Sequence, residues 1–103
     1  MQELNQEDFA AQLKRDDQAV LLDVRTDAEV AEGYIPNAQQ LNILNSGYFM
    51  EEAKKLDPNK NYYIYCRSGG RSAQACMLLD SLGAQNTYNL IGGFSEWKGD
   101  RTS

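Results

Sequence analysis

The stretch Tyr62-Tyr63-Ile64-Tyr65-Cys66-Arg67-Ser68-Gly69-Gly70-Arg71-Ser72 decides the fold. Its first four residues are strand formers that run directly into a glycine-bearing turn, and a helical pattern follows from Ser72 to Leu82, with Gly83 as its expected C-terminal cap. A strand that feeds a helix through so short a loop is half of a parallel crossover unit. The same alternation repeats on either side. Ala19 to Val24 is an apolar run without period-two alternation, the pattern of a strand covered on both faces. A weaker strand is expected at Gln39 to Ile43 and a further one at Asn86 to Leu90. Between them, Asn5 caps a helix that acids open and Lys14-Arg15 close, with Leu4 placed to pack on Phe9. Thr26-Asp27-Ala28-Glu29 is a capping-box pattern for a short helix ended by Gly33. Tyr48 to Leu56 has helical spacing and ends in the turn cluster Asp57 to Asn61; Gly92-Gly93 reads as a turn and Ser95 to Lys98 as a short last helix. The expectation is an α/β fold: a central, mostly parallel sheet with Val20 to Val24 and Tyr62 to Tyr65 as inner strands, and helices on both faces.

Length and composition fit one domain over residues 1–103: 103 residues, 42% hydrophobic and 24% charged. No apolar run approaches the ~18 residues of a membrane span. Met1-Gln2-Glu3-Leu4 has neither a basic nor an apolar signal region, so nothing in the chain reads as a secretory signal; one removed before this numbering would leave no trace. The chain contains no His, which excludes Ser-His and Cys-His catalysis and imidazole-held zinc. Cys66 and Cys76 are too few for a thiolate zinc site and read as intracellular thiols, so the expected location is cytoplasmic, with no metal and no cofactor. A net charge of −5 argues against nucleic-acid or anionic-membrane partners. That charge is uneven: residues 1–57 hold twelve acids and five bases, residues 58–103 three acids and five bases, so the cations concentrate around Cys66.

In an open parallel sheet, ligands bind beyond the carboxyl ends of the strands, where Cys66 is expected to stand. Gly69 and Gly70 permit positive φ, so successive N–H groups can turn inward as an anion nest backed by a helix N-terminus. Arg67 and Arg71 add two permanent charges. Every one of these groups favours thiolate over thiol, making Cys66 a nucleophile that needs no histidine. Ser68, Gly69 and Gly70, with the two arginines, form the expected substrate loop. Arg67 is expected at the pocket mouth; Arg71 is expected to hold either the loop carbonyls or an anionic donor. Cys76, inside the helical pattern beside Met77, Leu79 and Ala73, reads as a packed apolar thiol. Asp23 and Arg25 read as an ion pair that supports the site from outside it. Gly92-Gly93 and Phe94 either border the Cys66 pocket or simply form a tight turn. Tyr62, Tyr63, Tyr65 and Trp97 read as packing.

The chain resembles the rhodanese homology domain, the single-domain sulfurtransferases, over almost its whole length. Leu22-Asp23-Val24-Arg25 with Glu29, then Gly33-Tyr34-Ile35-Pro36-Asn37-Ala38, is similar to that family's first signature. Tyr65 to Ala73, Gly83, and Leu90-Ile91-Gly92-Gly93-Phe94 with Trp97 are similar to its second. The resemblance implies that Cys66 takes a sulfane sulfur as a persulfide held by the N–H groups of residues 67–71. It also implies a thiosulfate sulfurtransferase whose arginines attract a small anionic donor such as thiosulfate and which passes sulfur to cyanide, a thiol or a protein. Two departures stand out: Tyr34 where the family commonly has His, and Asn37 where it commonly has Gly. Both are expected to affect packing or the pocket rim rather than the chemistry.

Two other readings compete. Cysteine phosphatases and arsenate reductases also set a thiolate in an anion nest, but they place their Arg one residue farther from the Cys, at the position of Ser72. Within the resembled family the longer loops go with phosphate or arsenate, so this loop favours sulfur. A persulfide carrier or protein-interaction module is the alternative from a different class, and it would use the same Cys66.

Overall fold

A computed structural model describes all residues, 1–103. The elements in chain order are β1 (Gln2–Leu4), α1 (Gln6–Arg15), β2 (Ala19–Asp23), α2 (Asp27–Ala31), β3 (Gln39–Gln40), α3 (Ser46–Ala53), β4 (Asn61–Tyr65), α4 (Gly70–Ser81), β5 (Asn86–Leu90) and α5 (Gly93–Glu96). One five-stranded sheet has the order β1-β5-β4-β2-β3 with every pairing parallel. The two expected inner strands lie side by side, Ala19 opposite Asn61 through Asp23 opposite Tyr65.

Period-two geometry sends alternate residues of β4 to opposite faces. Tyr62, Ile64 and Cys66 join Leu22, Val24, Phe49, Ala53, Ala75, Cys76 and Leu79 in one core, under α3 and α4. Tyr63 and Tyr65 join Phe9, Leu21, Ile35, Leu90 and Trp97 in the other, under α1 and α5. Helices therefore cover both faces, which is why β2 and β4 show no polar side in the sequence.

The local signals act as read. Asn5 Oδ1 accepts from the Asp8 N–H at 2.8 Å, and Leu4 packs into the cluster that holds Phe9. Thr26 Oγ1 accepts from the Glu29 N–H at 3.3 Å, while Glu29 Oε1 accepts from the Thr26 N–H at 3.1 Å, closing the capping box of α2. Differences occur at boundaries and at one edge. The expected strand at Gln39 to Ile43 shortens to Gln39–Gln40, yet the N–H groups of Leu41 and Ile43 still reach the carbonyls of Asp23 and Val24 at 2.8 and 3.2 Å. Helix α4 begins at Gly70 rather than Ser72, α3 spans Ser46–Ala53 rather than Tyr48 to Leu56, and α5 starts two residues early at Gly93. Strand β1 has no counterpart in the sequence reading. It is a polar edge strand with one covered neighbour, and nothing in Gln2-Glu3-Leu4 signals it apart from that neighbour.

The chain adds β3 outside β2 and then crosses back to lay β4 on the other side of β2. The carboxyl ends of β2 and β4 therefore flank the point where strand order reverses, the place where open α/β sheets hold their ligands. Cys66 follows β4 directly there, and Asp23 closes β2 beside it.

Candidate functional site

The loop from Cys66 to Gly70 is built by one left-handed residue. Gly69 has φ +114° and serves as the N-cap position of α4, so the chain reverses into the helix without a side-chain cap. Gly70 has no positive φ, and a Cβ added there would meet nothing within 4 Å, so only the first of the two glycines is conformationally required. The Gly69 N–H points back at Cys66 Sγ from 3.1 Å, and the Ser72 hydroxyl lies 3.3 Å from the same sulfur. Burial alone would raise the Cys66 pKa, but the Ser72 side chain and the backbone N–H groups of Ser72, Gly69 and Ser68 outweigh it and hold the thiol below its ordinary value. Of these amides only that of Gly69 lies within hydrogen-bond distance of the sulfur, where the sequence suggested a ring over residues 67–71. Cys66 is 1% exposed, whereas Arg67, Ser68 and Gly70 beside it are exposed.

Arg71 has a partner outside the loop. Its two terminal nitrogens donate to both carboxylate oxygens of Glu29, at 2.7 and 2.8 Å, a bidentate pair that ties α4 to α2. That guanidinium holds the Glu29 carboxyl down to about 2, helped by the Thr26 hydrogen bonds against partial burial. Its side-chain hydrogen bonds therefore go to a carboxylate and none to a loop carbonyl, one of the two partners the sequence suggested. No side-chain hydrogen bond or ion pair engages Arg67.

Asp23 and Arg25 form the expected pair, and it is almost fully buried, at 1% and 3% exposure. Arg25 Nε and one terminal nitrogen donate to the two carboxylate oxygens of Asp23 at 2.9 and 2.7 Å, and the same terminal nitrogen donates to the Gly33 carbonyl. Tyr65 OH donates to Asp23 Oδ2 and accepts from the Ile35 N–H. Every polar atom of the cluster is satisfied, as burial demands. The Arg25 guanidinium also lies 4.3 Å from the centre of the Phe94 ring. Phe94 in turn donates its backbone N–H to the Cys66 carbonyl at 2.8 Å, and Ser95 donates to the Arg67 carbonyl at 3.0 Å. The pair is thus connected to the Cys66 loop through Phe94 of α5.

That contact settles the role of Gly92-Gly93. A Cβ on Gly93 would sit 2.5 Å from the Arg67 carbonyl carbon and oxygen and 2.7 Å from the Cys66 oxygen. Gly93 is required by the close approach of α5 to the loop as well as by its φ of +60°.

The sequence reading also left out Ser72 and Asn89. Asn89 is 2% exposed on β5, directly opposite Ile64, and its carboxamide reaches the Ser72 hydroxyl and the Gly69 carbonyl. The available signal was a polar residue inside an expected strand, because a buried amide must find partners. Of the two departures from the resembled family, Asn37 has φ +73°, a left-handed position that Asn tolerates after Gly. Tyr34 exchanges two backbone hydrogen bonds with Thr102, at 2.8 and 2.9 Å. Cys76 is fully buried and its thiol is pushed up to about 12 by that burial, in keeping with a packed apolar side chain. The largest cavity, about 620 Å³, lies among Leu13, Leu21, Ile35 and Trp97 and shares no residue with the Cys66 loop. No group of three or more Cys, Asp or Glu side chains is placed to hold a metal ion. No helix is long and apolar enough to cross a membrane.

A cysteine that follows a central strand, on a glycine-bearing loop entering a helix where a parallel sheet reverses its order, places the chain in the class of α/β domains built on a strand–cysteine-loop–helix unit. Within that class the chain belongs to the rhodanese-like domain family, whose model matches residues 5–100. It is 39% identical over 95 residues to a protein of Allochromatium vinosum named Sulfurtransferase, covering 92% of this chain and 86% of that one. It is 35% identical over 85 residues to Thiosulfate sulfurtransferase GlpE of Coxiella burnetii, covering 82% and 75%. The crystal structure of a rhodanese-like domain protein from Staphylococcus aureus superimposes with a TM-score of 0.81 and 32% identity, over 97% of this chain and 93% of that one.

Proposed function

We propose that the protein is a sulfurtransferase that carries sulfane sulfur as a persulfide on Cys66, acting as one domain in the cytoplasm. The observation that carries this reading is the Cys66 sulfur itself, 3.1 Å from the Gly69 N–H, with its pKa depressed and no histidine in the chain to activate it otherwise. In the first half-reaction the thiolate attacks the outer sulfur of an anionic donor such as thiosulfate. The donor's S–S bond breaks, sulfite leaves with the electron pair, and a new S–S bond joins that sulfur to Cys66. In the second, cyanide, a thiolate or a protein thiol attacks the outer sulfur and Cys66 leaves as thiolate. The amides of Ser68, Gly69 and Ser72 stabilise the anion at both stages. Arg67, exposed and unpaired, attracts the donor, while Arg71 works through Glu29 to hold α4 and the loop in place. The names borne by the two relatives support sulfur as the transferred element. Phosphatase chemistry lacks its arginine, because position 72 is a serine in contact with the sulfur.

The test is intact-protein mass spectrometry. Thiosulfate should add one sulfur atom at Cys66, and cyanide should remove it with formation of thiocyanate. Cys66→Ser should abolish both steps and Cys76→Ser neither. Robust aryl-phosphate hydrolysis without sulfur transfer would overturn the assignment. Persulfide formation with transfer to a protein thiol but with negligible turnover on cyanide would identify the carrier form of the same chemistry.

A further inference from the structure

The Ser72 hydroxyl has one proton and two acceptors within reach: Asn89 Oδ1 at 2.5 Å and Cys66 Sγ at 3.3 Å. Which one receives it depends on how the Asn89 carboxamide is turned, and two contacts fix that. The Asn89 nitrogen lies 2.8 Å from a carboxylate oxygen of Glu3 and 3.2 Å from the Gly69 carbonyl oxygen, and both of these groups only accept. A flipped amide would set oxygen against oxygen at both places, so Nδ2 faces Glu3 and Gly69 and Oδ1 faces Ser72. Glu3 stands opposite Asn89 in the β1–β5 register, so the polar edge strand that the sequence hid supplies this anchor.

We infer that Asn89 is a positioning residue for the Cys66 sulfur: its oxygen accepts the Ser72 O–H hydrogen bond while Cys66 is a thiol and loses that bond to the sulfur when Cys66 is an anion. In the thiol state a continuous chain runs from S–H to Ser72 Oγ and from the Ser72 O–H to Asn89 Oδ1, with every group satisfied. On ionisation the thiol proton passes to solvent, and the sulfur has nothing left to donate. The Ser72 O–H then turns to the anion, where a charge-assisted bond is worth more, and Asn89 Oδ1 is left buried without that partner. Asn89 therefore opposes ionisation and Ser72 favours it, so the sulfur's readiness is set by the competition between them. The charged groups around this sulfur are Arg67 on the loop, Arg71 on α4 with its Glu29 partner on α2, Asp23 at the end of β2 with Arg25 just after it, and Glu3 behind Asn89 on β1.

The inference rests on Cys66 as the reacting sulfur, but its readout is the ionisation of that thiol and not turnover, so its failure would leave sulfur transfer standing. The pH dependence of Cys66 alkylation by iodoacetamide, resolved by peptide mass, measures that ionisation. Asn89→Leu should lower the Cys66 midpoint by about half to one pH unit, because the freed hydroxyl commits to the sulfur. Ser72→Ala should raise it. In the Ser72→Ala background, Asn89→Leu should add nothing, since Asn89 acts only through Ser72. A merely structural role predicts the opposite sign for Asn89→Leu, because losing the Gly69 contact would loosen the nest. In the unaltered protein, the Asn89 carboxamide carbon should titrate in NMR with the same midpoint as Cys66 Cβ, a measurement that stands if Asn89→Leu does not fold. A raised or unchanged midpoint in Asn89→Leu, an equal shift in the Ser72→Ala background, or a carboxamide carbon that is flat through the Cys66 titration would each overturn the inference.

Discussion

Adjacent residues of the Cys66 loop carry unequal constraints, and the two glycines show it. Gly69 is at φ +114°, where an L side chain is strained, whereas Gly70 is already in the helix with open space at its Cβ. Gly69→Ala should cost about 1–2 kcal/mol of stability and most of the sulfur-transfer rate, because relaxing φ turns the 69 N–H away from the sulfur. Gly70→Ala should leave the rate intact and raise stability by up to about 1 kcal/mol, since Ala is the better helix residue. Urea denaturation and thiosulfate–cyanide turnover of the two variants check this, and equal effects would refute it. The sequence pair Gly69-Gly70 announced a loop but not which glycine was needed. Backbone dihedrals depend on where the strand ends and the helix begins, and that boundary lay two residues from its expected place.

At the scale of elements, the site is assembled by two contacts between segments far apart in the chain. Helix α5 lies against the loop at Gly93, where backbone meets backbone with no room for a methyl group. Gly93→Ala should push α5 and the loop apart, costing about 1–3 kcal/mol by overpacking and lowering kcat, with Cys66 alkylation revealing the disturbed nest. Helices α2 and α4 meet through Glu29 and Arg71, each about a quarter exposed. Glu29→Gln and Arg71→Ala should each lower kcat, and the double variant should be no worse than the poorer single one, because both break one bidentate link. Arg67→Ala should instead raise KM for thiosulfate, an effect that added salt erases in the unaltered protein, since an exposed charge attracts the donor through screened solvent. Steady-state kinetics at two ionic strengths distinguish the two arginines. Additivity of the Glu29 and Arg71 variants would remove the link from the account. The capping box made Glu29 readable as a helix residue, but its second role needed α4 beside α2, which no local pattern specifies.

For the whole molecule, the absence of histidine leaves pH responses unusually simple. Between the carboxylates and the lysines the chain has no imidazole to titrate, so the acid limb of kcat/KM should be a single ionisation with the midpoint of Cys66 alkylation. A second ionisation on that limb would contradict the reading. Stability has its own window. Glu29 is depressed from 4.5 to about 2 in the folded protein, so its contribution is complete above 4.5 and is lost as pH falls toward 2. Glu29→Gln should therefore lower stability at neutral pH and flatten its decline across that interval. Urea midpoints measured from pH 7 downward test the sign. Parallel curves for the two proteins would show that the pair contributes nothing through this linkage.

The sequence by itself determined the alternation of strands and helices, the covered strands β2 and β4, the caps at Asn5 and Thr26, and Cys66 at the end of a strand. All of these are local: they follow from periodicity and capping chemistry among residues within a turn or two of one another. The tertiary structure alone decided that β1 exists, since two polar residues and Leu4 become a strand only because β5 offers them a free edge. It alone matched Arg71 with Glu29, brought Gly93 against the loop, and set Asn89 and Glu3 behind Ser72. Those contacts join residues tens of positions apart, and a buried donor or charge takes whatever partner the packed sheet places within its reach.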